Sequence, residues 1–202
     1  MVAVIAVLSQ KGGSGKTCIA LGLAVAHEQA GGRAAVLDLD SQRSAVVWGQ
    51  LRGGEPPQVL PAHASRLAQT IRAAQSDAGL VVIDGPAREA AGAAEAARHA
   101  DLVLIPARPA VVDLAALPAT LEVVAAAGSR ALVVLNACPP RGPWTAQAAG
   151  AVRDLGAEVA QTRLGARVAH SKAFMIGRAA GETEPRSPAA AELAALYTEA
   201  MS

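Results

Sequence analysis

Leu8-Ser9-Gln10-Lys11-Gly12-Gly13-Ser14-Gly15-Lys16-Thr17 lies between an apolar run, Val2 to Leu8, and an apolar helical stretch opened by Lys16-Thr17. Strand, glycine-rich turn and helix in that order are the setting of a phosphate-binding loop. Glycine has no Cβ, so the backbone N–H groups around Gly12, Gly13, Ser14 and Gly15 can close on phosphate oxygens. The helix N-terminus behind them adds partial positive charge. The strict pattern G-x-x-x-x-G-K-[ST] needs glycine where Gln10 stands. Instead the chain reads K-G-G-x-G-K-T, with a second lysine, Lys11, five residues before Lys16. A Gly/Lys-rich surface turn is the alternative, and the order of the flanking segments argues against it.

Outward from this loop, two more apolar strands end in acids. Ala34 to Leu37 runs into Asp38-Leu39-Asp40-Ser41-Gln42, and Leu80 to Ile83 runs into Asp84-Gly85-Pro86. Sites in α/β proteins collect at strand carboxyl ends. Strand alternation places Asp38 and Asp40 on one side, a carboxylate pair able to hold magnesium-bound waters and orient an attacking water. Asp84 reads as a Walker B acid beside the Mg²⁺ shell, opposite Thr17, with a helix N-cap as the lesser reading. Asn136 ends the strand Ala131 to Leu135; its amide can meet an adenine edge or simply make a turn.

Strand and helix alternate over the rest of the chain. Helices are expected at Cys18–Ala30, stopped by Gly31-Gly32, and from Ser44, where Trp48 is a packing anchor. Others are expected at Ser65–Gln75 with Arg66 and Arg72 outward, at Glu89–His99, at Val111–Ala127 with a possible kink at Pro118, and at Trp144–Leu155. Short strands are expected at Gln58–Leu60, Asp101–Pro106 and Glu158–Gln161. Ser187-Pro188 forms an N-cap and N1 pair, and Leu193, Leu196 and Tyr197 make a narrow apolar stripe that should dock on the body. The fold expected is α/β, a P-loop NTPase with a twisted, mostly parallel sheet and helices on both faces, in a single domain over residues 1–202.

Composition agrees. With 52% hydrophobic but only 2% aromatic residues, packing must be aliphatic, which suits helices on a parallel sheet. A net charge of +1 means that nucleic-acid binding would need a local basic patch. One exists in sequence: Arg163, Arg167, His170, Lys172 and Arg178 follow one another without an intervening acid, interleaved with Phe174 and Met175. Such a patch could track a phosphate backbone, although a solvated helix face is the commoner explanation. Cys18 and Cys138 lie far apart without metal-ligand spacing, so no disulfide framework, zinc site or iron–sulfur site is indicated and a reducing cytoplasm is expected. The N-terminal apolar run is too short for a membrane span and has no basic n-region.

The chain resembles the ParA-type partition ATPases of the deviant Walker A, ParA/MinD superfamily, especially the short ParF-like forms. The resemblance rests on Lys11 to Thr17, on Asp38-Leu39-Asp40-Ser41-Gln42 with Ser44-Ala45 and Trp48, on Asp84-Gly85-Pro86, on Asn136, and on Arg163-Leu164 and Arg167-Val168-Ala169. It implies ATP and Mg²⁺ as cofactors, with Lys11, Gly12, Gly13, Ser14, Gly15, Lys16, Thr17, Cys18, Asn136 and Pro139 around the nucleotide. By the same resemblance Lys11, Lys16 and Asp40 are catalytic, with Lys11 reaching the nucleotide of the other protomer. Thr17 ligates Mg²⁺, Asp38 and Asp84 act on it through water, and Asp40 positions the attacking water. The implied function is slow ATP hydrolysis used as a switch for DNA segregation. An ATP-bound homodimer holds non-specific DNA, through Arg163, Arg167, Lys172 and Arg178 as candidates, until a ParB-like or other cargo adaptor stimulates hydrolysis. Location would be cytoplasmic and nucleoid-associated. Alternatives are positioning of a non-DNA cargo and a MinD-like membrane switch, the latter disfavoured by acids in the C-terminal segment. Two departures stand out: Ser41 where Pro is common, and Cys18 where Thr or Ser is common. A cysteine at a helix N-terminus can have a lowered pKa, although lone cytosolic cysteines are often buried.

Overall fold

The structure is a computed structural model and describes residues 3–87 and 89–202. Val2, where the first expected strand begins, lies outside the described residues. In chain order the regular elements begin with β1 (Ala3–Val7), α1 (Lys16–Gln29), β2 (Ala34–Asp38), α2 (Ser44–Leu51) and β3 (Gln58–Pro61). They continue with α3 (Leu67–Ala74), β4 (Leu80–Asp84), α4 (Ala90–His99), β5 (Leu102–Ala107), α5 (Val111–Leu114) and α6 (Leu117–Ala127). The last are β6 (Arg130–Leu135), α7 (Trp144–Asp154), α8 (Val168–Phe174), α9 (Ala180–Thr183) and α10 (Pro188–Ala200).

The strands form one parallel sheet in the order β3-β2-β4-β1-β5-β6. β1 is central, flanked by β4 and β5, and the chain leaves it first toward β2 and later toward β5. The turn after β1 therefore sits at the switch in strand order, where an open α/β sheet leaves a crevice. Central strands are buried on both faces, which is why β4 reads Leu-Val-Val-Ile without polar alternation. Alternate side chains serve two cores. Ile5, Val7, Val36 and Val82 pack with α1, α2 and α10, whereas Ala6, Leu8, Leu37 and Ile83 pack with α3, α4 and α6.

The C-terminal helix docks as its stripe predicts. The Ser187 hydroxyl accepts from Ala190 N–H at 3.2 Å, and Leu193 and Leu196 are buried. α10 comes so close to α1 that a Cβ on Gly22 would stand 2.8 Å from Leu193 Cδ2. Tyr197 shares a 2.9 Å hydrogen bond with His27 Nδ1.

Three expectations need correction. Val111–Ala127 is two helices, because Pro118 sits in the first turn of α6, where its missing N–H costs nothing, instead of kinking a longer helix. The helix expected at Ser65–Gln75 starts as a 3₁₀ turn, Ala64–Arg66, and only then becomes α3. The last expected strand, Glu158–Gln161, is a single bridge, with Val133 N–H donating to Glu158 O at 2.8 Å and Ala160 N–H to Val133 O at 2.9 Å. Beyond that pairing the chain turns to receive Glu199, whose carboxylate accepts from the N–H groups of Gln161 and Thr162. Among the described residues no helix is long and apolar enough to cross a membrane.

Candidate nucleotide site

The loop after β1 passes directly into α1. Gly13 and Gly15 adopt φ of 72° and 100°, the left-handed conformations that glycine permits at low cost. Gly15 is required for a second reason: a Cβ there would lie 2.1 Å from Asn136 Nδ2. Ser14 is fully buried, and its hydroxyl oxygen has no hydrogen-bond partner among the described residues. An unpartnered buried hydroxyl inside a glycine loop suits an absent polar ligand.

The two lysines are placed differently. Lys16 is 6% exposed; burial pulls its ammonium below the usual lysine range, while the charges of Asp84 and Asp40 oppose that shift. Lys11 is exposed, its backbone N–H donating to Ser9 Oγ at 3.3 Å. Gln10, which breaks the strict motif, uses its side chain: the amide donates to Ala119 O at 3.2 Å and its backbone N–H to Thr120 Oγ1 at 3.2 Å, both on α6.

β2 and β4 deliver their acids side by side, Asp38 opposite Asp84 in the parallel register. Both are fully buried. Burial pushes the Asp84 carboxyl up to about 7; the Thr17 hydroxyl and the Lys16 charge work against that, and Asp38 adds to it. Neither Asp84 oxygen has a satisfactory hydrogen bond among the described residues. Two orphaned carboxylate oxygens beside Thr17 and Lys16 fit a site for a hydrated divalent cation, so Thr17 with Asp84 behind it would hold Mg²⁺, which supplies charge neutralisation when bound. Asp38, beside Asp84, also has backbone partners. Its Oδ1 accepts from Asp40 N–H and its Oδ2 from Val46 N–H, both at 3.0 Å, so it ties the loop after β2 to the start of α2.

Asp40 lies beyond the end of β2, so strand alternation does not set its direction; the Asp38 carboxylate does, by holding its N–H. It is half-buried, accepts from Gln42 N–H at 2.9 Å, and borders a cavity of about 410 Å³ shared with Ser41, Gln42, Pro86, Ala87 and Glu89. A second cavity, about 680 Å³ and mainly apolar, opens beside the start of α1 and includes Cys18, Asn136, Ala137, Arg167, His170 and Phe174. Its size and lining suit a purine ring. Pro139 does not line it. Asn136 borders it, but its amide donates to Ser14 O at 2.7 Å and its Oδ1 accepts from Ala137 N–H at 2.8 Å. Burial pushes the Cys18 thiol up to about 11, the direction of an inert buried cysteine. A larger cavity of about 980 Å³ lies at the β3 edge, between Arg33, Gln50, Pro57 and Asp77, away from the P-loop.

The late basic residues divide into two pairs. Arg167 donates to Glu192 Oε1 at 2.7 Å, and Arg178 pairs with Glu55 and with Glu182. Arg163 and Lys172 are exposed and have no ion pair among the described residues. One contributor escaped the sequence reading: Arg108, just after β5, donates to Gly13 O. The rule that sites gather at strand ends could have flagged it, because it stands where Asp38, Asp84 and Asn136 stand on their strands.

Residues 5–170 match the family model of the CobQ/CobB/MinD/ParA nucleotide binding domain. The chain belongs to this family. It is a P-loop ATPase of the ParA/MinD superfamily, and its six-stranded parallel sheet is that fold. The maintenance of carboxysome distribution protein A of Halothiobacillus neapolitanus is 28% identical over 197 residues, covering 93% of this chain and 91% of that protein. The protein ParA of Rhizobium radiobacter is 34% identical over 128 residues, covering 60% of this chain and 56% of that protein. In solved structures, apo McdA of Cyanthece superposes with a TM-score of 0.81 at 17% identity, covering 100% of both chains. MinD of Pyrococcus horikoshii, complexed with Mg-ADP, superposes with a TM-score of 0.77 at 18% identity, covering 99% of this chain and 96% of that one.

Proposed function

We propose that this ParA/MinD-family ATPase is a switch whose ATP-bound state is a homodimer held on non-specific DNA, and that it positions a cargo over the nucleoid. The observation that carries this reading is the contrast between the two loop lysines. Lys16 is enclosed next to its own phosphates' place, whereas Lys11 stands exposed at the mouth of the same loop. A cation in that position is available to a nucleotide on a facing protomer. A ligand shifts monomer and dimer only through differential affinity, and a contact made solely in the dimer supplies it.

Asp40 then acts as the timer. Its direction is set by Asp38, and it borders an open cavity next to the Asp84 turn, which suits a group that aligns water. For the cargo, the two relatives named for carboxysome distribution align with 93% and 86% of this chain and the one named ParA with 60%, which favours a protein assembly over a plasmid.

Retention on non-specific DNA with ATP, with ADP and without nucleotide tests the switch. Wild-type protein should be retained only with ATP, and the Asp40→Ala variant should remain bound longer than wild type at equal ATP. Equal retention in all three states would remove the switch from the function.

A further inference from the structure

The phosphate loop is held from outside by side chains of the neighbouring strand ends. The Arg108 guanidinium donates to Gly13 O, and the Asn136 amide donates to Ser14 O at 2.7 Å. Arg108 follows β5 and Asn136 follows β6, and these two ends are joined by Asn136 N–H donating to Ala107 O at 2.9 Å. Thus two consecutive loop carbonyls are fastened to one rigid edge of the sheet.

A trans peptide points each carbonyl opposite to the next residue's N–H. Fastening Gly13 O and Ser14 O therefore sets the directions of the Ser14 and Gly15 N–H groups, away from Arg108 and Asn136. Among the described residues neither N–H makes a hydrogen bond of good geometry, Ser14 N–H only closing a loose turn from Lys11. Successive N–H groups facing one way are an anion nest. A glycine-rich turn does not keep that arrangement unaided, because glycine reaches positive and negative φ with similar ease. A flipped peptide would present a carbonyl lone pair to the phosphate.

We infer that Arg108, with Asn136 as its companion, is a positioning residue that keeps the Gly13–Ser14 and Ser14–Gly15 peptides oriented to receive phosphate before nucleotide arrives. The inference rests on the nucleotide-binding reading of this loop. Its consequence separates it from a direct role at the terminal phosphate. A preformed nest serves ADP and ATP alike, whereas an arginine reaching the γ-phosphate serves only ATP.

The test uses the full chain with Mg²⁺, fluorescent ADP and ATP analogues, steady-state hydrolysis, and the variants Arg108→Met and Arg108→Lys. Arg108 is exposed, so both variants should fold. Arg108→Met should weaken ADP and ATP binding by a similar factor, about three- to tenfold for one hydrogen bond of this kind, and raise KM to match. Its kcat at saturating ATP should stay within about twofold of wild type, because an interaction equal in ground and transition states is uniform binding. Arg108→Lys, which retains a donor, should recover most of the loss. In nucleotide-free protein, the Ser14 amide resonance should shift in Arg108→Met. A loss confined to ATP, a fall in kcat with ADP affinity intact, or unchanged affinities in Arg108→Met would each overturn the inference. If wild type itself binds neither nucleotide, the nucleotide reading fails, independently of Arg108.

Discussion

The P-loop face and the late basic segment both announce themselves in sequence as clusters of charge, yet the fold treats them oppositely. At the P-loop, buried polar groups are left unpaired: the Ser14 hydroxyl and both Asp84 oxygens have no partner among the described residues. In the late segment, Arg167 and Arg178 are met by Glu192, Glu55 and Glu182. Leaving a buried polar group unsatisfied costs free energy, which a structure accepts where a ligand completes the site. Charges that find acids at home have less left over for a partner.

The sharpest way to break this contrast is to remove the enclosed cation. Lys16→Ala deletes the positive charge that acts on Asp84 and Asp40 and leaves one buried and one half-buried acid without it. ATP binding should fall below detection by calorimetry, a loss of at least about a hundredfold for a charge-assisted phosphate contact, while circular dichroism remains native. Unchanged affinity would mean that the loop is not the nucleotide site.

A second effect belongs to the side of the molecule where charges are satisfied internally. Arg52, 6% exposed, donates to Glu182 and to Gly177 O and lies 4.7 Å from the Trp48 ring centre. Trp48 in turn donates to Arg178 O at 3.1 Å, so α2 and the segment before α9 are bound as a unit. Arg52→Met takes the nearest cation from the half-buried Glu182 carboxylate, which keeps Arg178 and the Ala179 N–H, and should cost about 1–3 kcal/mol in urea unfolding at neutral pH. Burial alone would raise the Glu182 carboxyl, but Arg52, the Ala179 N–H and Arg178 hold it below the usual range. A depressed acid gives stability that is complete above its unfolded pKa and is lost as pH falls through the folded value. The gap between wild type and variant should therefore narrow in acid. An equal gap at all pH values would show that Glu182 is not the group whose partner the variant removes.

These two regions also show how far the sequence could be read. Lys11 to Thr17 was legible because a phosphate loop is local: strand, glycines, lysine and helix lie within one short stretch, and so do the apolar runs that end in Asp38 and Asp84. The long-range supports were not. Arg108 reaches Gly13 across 95 positions and Arg178 reaches Glu55 across 123, and no periodicity encodes such meetings. Pro118 is ambiguous in sequence because the same ring either kinks a helix or opens one, depending on where the preceding turn ends. Glu158–Gln161 has strand composition, but a tertiary contact with Glu199 ends the pairing after one bridge.

The smallest expected effect sharpens the comparison within the basic segment itself. If self-pairing withdraws a cation from recognition, only Arg163 and Lys172, exposed and without ion pairs among the described residues, should contribute to DNA retention. Each phosphate contact adds roughly 0.9 to the slope of log affinity against log salt concentration, so Arg163→Ala with Lys172→Ala should flatten that slope by up to about 2. Arg167→Ala and Arg178→Ala should leave the slope unchanged. Because these are partly solvated pairs, stability should also change little, by about 1 kcal/mol or less for Arg167→Ala. Measurement across a salt series in the ATP state distinguishes a lost phosphate contact from a loosened fold, since loosening lowers affinity without changing its salt dependence. A slope that responds to Arg167 and Arg178 as strongly as to Arg163 and Lys172 would mean that Glu192, Glu55 and Glu182 release their partners when DNA arrives. The pairs would then be a latch on the DNA-binding face.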